Sequence, residues 1–178
     1  VWMIDDNVSS TYRIDRTAEP PIEQVPFLPV MQHIEAIFDC NEAFLENLTG
    51  QGEQWVSQHS RDTLATLVEP FRGRDVKMFR GESASDLCGM IGDPKYQYGA
   101  LGISRCLNQR QPTPIKHPIK CTYSVYSFYL FNVTATCDRK LYYPPRKTME
   151  DIEMNFMMEE AGLVVCKLQM YCHVKPVR

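Results

Sequence analysis

The chain has 178 residues, of which 44% are hydrophobic and 23% are charged. This is the composition of one ordinary globular domain, and it argues against intrinsic disorder. The formal net charge is −3, from 19 basic and 22 acidic residues, a balance that argues against a DNA or RNA partner. The sequence contains no run of about 18 apolar residues, so it predicts no membrane span.

The N-terminal part is rich in proline. Its four prolines are Pro20, Pro21, Pro26 and Pro29. Proline favours extended chain and blocks the interior of a helix. We therefore predict that residues 1–29 form an extended, proline-rich arm, within which residues 22–28 lie along the domain surface, and that residues 30–178 form a single α+β domain. Because the sequence opens with Val1 and shows no signal peptide, we interpret it as a mature or trimmed chain.

The first half of the predicted domain shows helical periodicity. Apolar residues recur at helical spacing over residues 30–48 with acidic residues between them, which predicts an amphipathic helix. The elements predicted after it are a helix over 61–69, a strand over 75–80, a short helix over 83–91 and a strand over 99–107.

The C-terminal third alternates with the period of a β-strand. Residues 121–137 predict one long strand whose odd-numbered residues face the core. Residues 150–158 and 164–174 also alternate, with a turn at 159–162 between them, and predict a β-hairpin. The predicted fold is therefore α+β, with N-terminal helices packed on a curved, mostly antiparallel β-sheet that ends in a C-terminal hairpin.

This order of elements resembles the NTF2-like (cystatin-superfamily) cone fold. Residues 67–91 look like the passage in that fold from its second helix through its first strand to its third helix, and residues 150–173 look like its last two strands. The family includes enzymes, ligand binders and dimeric scaffolds, so the resemblance alone leaves the function open.

The resemblance also implies which residues face into the cone. Enzymes of the family keep acid–base residues there, commonly a His with an Asp. The inward positions predicted for this chain are all apolar or aromatic: Val125, Tyr129, Phe131, Val133, Phe156, Leu168 and Met170. This lining predicts no catalytic residue, and it fits either a filled core or a cavity for a small apolar ligand.

Two features indicate an oxidising compartment. Three N-x-Ser/Thr sequons, at Asn7, Asn47 and Asn132, are candidate glycosylation sites. The seven disulfide candidates are Cys40, Cys88, Cys106, Cys121, Cys137, Cys166 and Cys172. Together they predict a secreted or lumenal, disulfide-bonded glycoprotein. The alternative is an intracellular domain with buried thiols and unused sequons.

The spacing of the cysteines and histidines restricts their chemistry. No C-x-x-C and no zinc-binding histidine spacing occurs, so we predict no metal and no cofactor. Cys166 and Cys172 would lie about 20 Å apart on one strand, at about 3.3 Å per residue, and cannot bridge each other. Bridges must run between strands or from strand to helix, with Cys40, Cys88 and Cys106 as plausible partners, and the connectivity stays open.

A candidate interaction surface lies on the predicted outer face of the long strand. Tyr126, Phe128 and Leu130 share that face, and an exposed apolar stripe marks a contact surface. Sheet-to-sheet dimerisation and coverage by residues 22–28 are the two alternatives. The leading hypothesis is a non-enzymatic secreted domain for protein recognition or structural assembly. The second is a carrier of a small apolar ligand.

Overall fold

The structure, a computed structural model, describes most of the chain except its central part. The described residues are 1–15, 19, 21–49, 62–63, 66, 97–106, 119–121, 125–143, 145 and 149–176. The predicted strand at 75–80 and the predicted short helix at 83–91 lie outside these residues. Of the predicted helix at 61–69, Asp62, Thr63 and Thr66 are described, and all three are helical.

The described residues form one sheet flanked by helices, which confirms the α+β class. The seven strands are β1 (Trp2–Ile4), β2 (Ser10–Ile14), β3 (Ile22–Val25), β4 (Gln97–Arg105), β5 (Ile119–Cys121), β6 (Phe128–Phe131) and β7 (Leu163–Val174). Their order is β1-β6-β4-β7-β2-β3, and β5 pairs with β7 beside this path. β4 and β7 are parallel, and the other strand pairs are antiparallel. The helices are α1 (Phe27–Thr49), α2 (Val133–Asp138) and α3 (Glu150–Glu160).

The described residues before Phe27 are largely extended, as predicted, but they are not an arm outside the domain. They supply β1, β2 and β3 to the sheet, and β2 pairs with β7 in the register Thr11↔His173. The prediction missed this because the partner strand lies far away in the sequence. Pro26 and Pro29 lie at the passage into α1, which starts at Phe27 rather than at residue 30, because proline is tolerated in a first helical turn.

The predicted long strand over residues 121–137 is wrong. The chain forms β5, turns at Ser127 with a left-handed φ of 73°, forms β6 and then enters α2. Asn132 starts α2, because its side-chain oxygen accepts a hydrogen bond from the backbone N–H of Ala135 at 3.0 Å. A cap of this kind ends the strand, although the apolar alternation continues through it.

The predicted C-terminal hairpin is also wrong in its first half. Residues 150–160 form α3, and only the second half, β7, is a strand. Met154 and Met158 are buried at the i, i+4 spacing of a helix, whereas Phe156, which strand alternation placed inside, is 48% exposed. Acidic residues in the first turn favour this helix through its dipole. Gly162, with φ at 80°, turns the chain into β7.

The sheet has an apolar cluster on each face. The cluster on the α1 side includes Ile34, Ile37, Leu101, Ile103, Ile119, Phe128, Cys166 and Leu168. The cluster on the side of α2 and α3 includes Ala100, Val125, Tyr129, Phe131, Met154, Met158, Leu163 and Val165. Consecutive residues of β4 and β6 enter opposite clusters, as strand alternation requires.

The predicted cone lining therefore does not form one surface. Leu168 and Met170 lie on the α1 side, whereas Val125, Tyr129 and Phe131 lie on the opposite side. The other two predicted inward residues, Val133 and Phe156, are exposed. The prediction of this lining depended on one long strand over residues 121–137 and on a C-terminal hairpin, and the structure forms neither of them.

Candidate interaction surface

The predicted apolar stripe is largely covered. Phe128 is fully buried, with the rings of Trp2 and Phe27 each 5.6 Å from its own ring. Tyr126 and Leu130 are half-buried. Phe128 therefore belongs to the core and not to an interaction surface, because β1 and the start of α1 cover this face of the sheet.

Apolar surface remains at the margin of this cover. Ile4 is 42% exposed, Phe27 36% and Leu28 62%. Ile4 lies directly opposite Phe128 in the β1–β6 register, and the Phe27 ring contacts Phe128. Ile4 and Phe27 thus flank the same buried ring, and Leu28 follows Phe27 in the first turn of α1. We call Ile4, Phe27 and Leu28 the apolar rim.

The rim adjoins an edge of the sheet. Backbone N–H groups of Phe131 and Asp5 donate to the carbonyls of Val1 and Ser127 at 2.8 and 2.9 Å. Because such pairs alternate along an antiparallel ladder, the backbone N–H and C=O groups of Trp2 and Ile4 point away from β6. In the part of the chain that the structure describes, no strand pairs with this side of β1.

Polar contacts hold β1 in place at both ends. The Trp2 indole N–H donates to Glu35 of α1 at 2.8 Å. Past the other end of β1, the Lys175 ammonium forms an ion pair with Asp5 and donates to the Ser127 hydroxyl at 3.1 Å. Burial raises the pKa of Asp5, but the hydrogen bonds and charge of Lys175, with a hydrogen bond from Ser127, bring it below its usual value. β1 is therefore a fixed edge.

A hydrogen-bond chain under α1 fixes the tautomer of His33. The Thr66 hydroxyl donates to the carbonyl of Thr63 at 2.7 Å, so it must accept from Nε2–H of His33 at 3.0 Å. When the imidazole is neutral, its Nδ1 therefore accepts from the Tyr171 hydroxyl at 2.7 Å. Burial, with a smaller effect of the Arg13 charge, lowers the pKa of His33 to about 4.

His173 is also neutral, and burial is again the main cause of its lowered pKa. It is fully buried at the end of β7, and neither of its ring nitrogens has a hydrogen-bond partner among the described residues. Burial first, and then the charges of Lys175, Arg105 and Lys167, lower its pKa to about 4, against a smaller opposite effect of Asp5.

Two tyrosines share a carboxylate on the other face of the sheet. The Tyr129 and Tyr143 hydroxyls donate to Asp151 at 2.7 and 3.2 Å and lie 2.5 Å apart. Burial is the main cause that raises both pKa values, that of Tyr143 to about 12 and that of Tyr129 further. Both hydroxyls stay protonated at neutral pH, so they tie α3 to β6 and cannot act as bases.

The three sequons differ in their surroundings. Asn132 is 7% exposed, and its side-chain amide donates to the carbonyl of Tyr98 at 3.1 Å while its oxygen caps α2. A glycan on that amide is incompatible with this packing, which corrects the predicted site at Asn132. Asn7 is half-buried and stays a prediction. The side chain of Asn47 lies outside the described part of the chain.

The described residues contain one disulfide, and it is of a kind that the sequence predicted. Cys106, just after β4, is bonded to Cys172 of β7, with an S–S distance of 2.01 Å and a Cα–Cα distance of 5.4 Å. The bridge runs between strands, as predicted, and Cys166 and Cys172 do not bridge each other. Cys137 is exposed on α2 and has no disulfide partner among the described residues. Cys88 and the side chains of Cys40 and Cys121 lie outside the described part.

Neither a metal-binding cluster nor a membrane-spanning helix occurs among the described residues. No three His, Cys, Asp or Glu side chains there are arranged to hold a metal ion. No helix formed by those residues has both the length and the apolar character needed to cross a membrane. In comparisons with known proteins, no protein-family model, curated protein or solved structure matches this chain.

The two neutral histidines predict sensitivity to acid. Between pH 6.5 and about 4 the unfolded chain binds protons at these positions that the folded chain does not. The contribution of these two groups to stability is therefore full above pH 6.5 and is lost as the pH falls, by at most roughly 1 kcal/mol per pH unit for each histidine. Urea unfolding at a series of pH values measures this slope.

The variant His173→Phe separates the two contributions. It replaces a buried imidazole that has no hydrogen-bond partner in the described part of the chain with an apolar ring of similar shape. We therefore expect stability at neutral pH to be kept and the acid slope to fall by about half. An acid slope that is the same in His173→Phe as in the unchanged protein would contradict this account.

The buried amide of Asn132 predicts that this sequon stays unmodified. In protein made by a eukaryotic host, we expect the peptide that contains Asn132 to lack a glycan, because a glycosylated side chain could neither cap α2 nor fit beneath the carbonyl of Tyr98. Peptide mass mapping after enzymatic deglycosylation in heavy-oxygen water checks this. A folded protein with a glycan on Asn132 would contradict the structure of this region.

Proposed function

We propose that this chain is a non-enzymatic recognition or assembly domain of the extracellular space or the secretory-pathway lumen, and that it self-associates through β1. The Cys106–Cys172 bridge supports an oxidising compartment, because disulfides persist there and are rare in the cytosol. The sequons at Asn7 and Asn47 are consistent with such a compartment. The apolar rim beside the open edge of β1 is the observation that carries the proposed activity.

A strand edge of this kind favours pairing with another strand. Exposed edges of sheets are ready templates for added strands, and proteins commonly protect them with charged side chains or proline. Neither protection occurs within β1, whose residues are Trp2, Met3 and Ile4. The unpaired N–H and C=O groups of Trp2 and Ile4 would supply the hydrogen bonds, and the rim would supply apolar area.

A second copy of the chain is the occupant that matches this edge. Antiparallel pairing of two β1 strands about a two-fold axis at Met3 sets Trp2 of one copy opposite Ile4 of the other, twice. These are the residues whose backbone groups point outward, so the same two residues meet both requirements. Aromatic residues opposite β-branched residues are favourable cross-strand pairs, and a two-fold interface closes on itself, which limits assembly to a dimer.

The alternative hypothesis, a carrier of a small apolar ligand, has less support. It requires one continuous apolar lining, whereas the residues predicted to form that lining are divided between two faces and the surface. The resemblance to the NTF2-like cone stays a prediction. Of the two passages on which it rests, residues 67–91 lie outside the described part, and residues 150–173 are a helix followed by a strand.

Self-association is tested with the substitution Ile4→Lys. We expect the unchanged protein to dimerise between micromolar and millimolar concentration and Ile4→Lys to stay monomeric, because a charged side chain on an edge strand opposes pairing. Sedimentation equilibrium measures the association constant. The thermal midpoint should barely move, since Ile4 is 42% exposed and substitutions at exposed positions change stability little.

The matched control is Val133→Lys. Val133 has a similar exposure, 40%, but it lies on α2 at the opposite face of the sheet. The Val133→Lys variant should therefore dimerise as the unchanged protein does. A protein that stays monomeric at every concentration, or an Ile4→Lys variant that dimerises as strongly as Val133→Lys, would contradict the proposal.

A further inference from the structure

The register of β5 on β7 sets two cysteines opposite each other. The Cα partners in this antiparallel pair are Ile119↔Leu168, Lys120↔Lys167 and Cys121↔Cys166. Residues directly opposite in an antiparallel pair have Cα atoms about 4.5 or about 5.5 Å apart, depending on their place in the ladder. Both values fall in the range of about 4.4–6.8 Å that disulfides span. The Cys106–Cys172 bridge, also on β7, has a Cα–Cα distance of 5.4 Å.

The two positions also share a face of the sheet. Ile119, Cys166 and Leu168 all belong to the cluster on the α1 side. Because residues two apart in a strand lie on the same face, position 121 falls on the face of Ile119, and therefore on that of Cys166. Register and face therefore both permit a cross-strand bridge between positions 121 and 166.

Among the cysteines whose side chains the structure describes, Cys137 is the one outside these pairs, and it is on the wrong side to compete. Cys137 is exposed on α2, and the neighbouring Ala135 packs in the cluster on the α2 and α3 side. Cys166 is fully buried on the opposite face. A bridge between Cys137 and Cys166 would have to pass through the sheet.

We propose that Cys121 and Cys166 form a second disulfide. With glutathione disulfide as the oxidant, one cysteine thiolate attacks a sulfur of glutathione disulfide and releases one glutathione thiolate. The other cysteine thiolate then attacks the protein sulfur of the mixed disulfide and releases the second glutathione. Two protein thiols lose two electrons and two protons, and one glutathione disulfide becomes two glutathione molecules.

The second bridge would join β5 to β7 covalently, in addition to the few backbone hydrogen bonds that so short a strand can form. β5 has three residues and pairs with β7 alone among the described strands. With both bridges formed, Cys106 and Cys121 are each joined to β7, so residues 107–120 are held at both ends by covalent bonds to one strand.

Tryptic mapping without reduction tests the pairing. Protein refolded with reduced and oxidised glutathione is alkylated, digested with trypsin and analysed by mass spectrometry. Cleavage after Lys and Arg places Cys106 in peptide 106–110, Cys172 in 168–178 and Cys166 in 148–167. Cys121 and Cys137 share peptide 121–139, so the map is repeated with Cys137→Ser, which removes the ambiguity.

We expect peptide 121–139 to be joined to 148–167 in both proteins, beside the 106–110 to 168–178 pair that serves as the internal control. Recovery of 148–167 with alkylated Cys166 in folded protein that carries the control pair overturns the proposal. So does a cross-link that disappears in Cys137→Ser, or one that joins 148–167 to the peptide of Cys40 or Cys88. The measurement is independent of self-association, because it follows one chain in either state.

Discussion

β4 and β7 run parallel at the centre of the sheet, and the other strands are placed relative to this pair. Leu101 lies opposite Cys166 and Ile103 opposite Leu168, and all four side chains enter the cluster beneath α1. A parallel pair must be covered on both faces, and α1 on one side with α2 and α3 on the other meet this requirement. The lack of a side chain at Gly102 lets β6 approach β4 closely. A Cβ atom at this position would lie 2.6 Å from the carbonyl oxygen of Phe128.

The same pairing explains where the polar groups lie. Both faces are filled by apolar side chains, and three charged residues lie at or beyond strand ends: Asp5 after β1, Arg105 at the end of β4 and Lys175 after β7. His173 is enclosed among them and is kept neutral. The Cys106–Cys172 bridge closes this end of the sheet, just beyond the irregularity in register between Ile103 and Ser104. The sheet is thus held by packing at its centre and by covalent and ionic contacts at this end.

The periodicity of apolar residues along the sequence was sufficient to predict some elements of the fold and not others. α1, β4 and β7 were predicted because each carries an apolar pattern that matches the element it forms. The N-terminal strands were missed as parts of the sheet because their partners, such as His173 for Thr11, are distant in sequence. The alternation at 150–158 misled because α3 buries Met154 and Met158 together with the polar Asn155, so its helical pattern is weak.

The sequence predicted the candidate surface only in part. The stripe of Tyr126, Phe128 and Leu130 pointed to the correct region, but strand alternation cannot tell which element will cover a face. Trp2 and Phe27 cover Phe128, so the exposed apolar area moves to Ile4, Phe27 and Leu28 at the margin. Residues of three elements form this rim and its surroundings, and no pattern within one element could have identified it.

Native-state hydrogen exchange tests most directly whether the β4–β7 pair is the centre on which the fold depends. If it is, backbone amides of β4 and β7 exchange most slowly, through global unfolding alone. Amides of β1 and β3, at the ends of the strand order, exchange faster through local opening. Amides of α1 or α3 that remain protected after those of β4 and β7 have exchanged would contradict it.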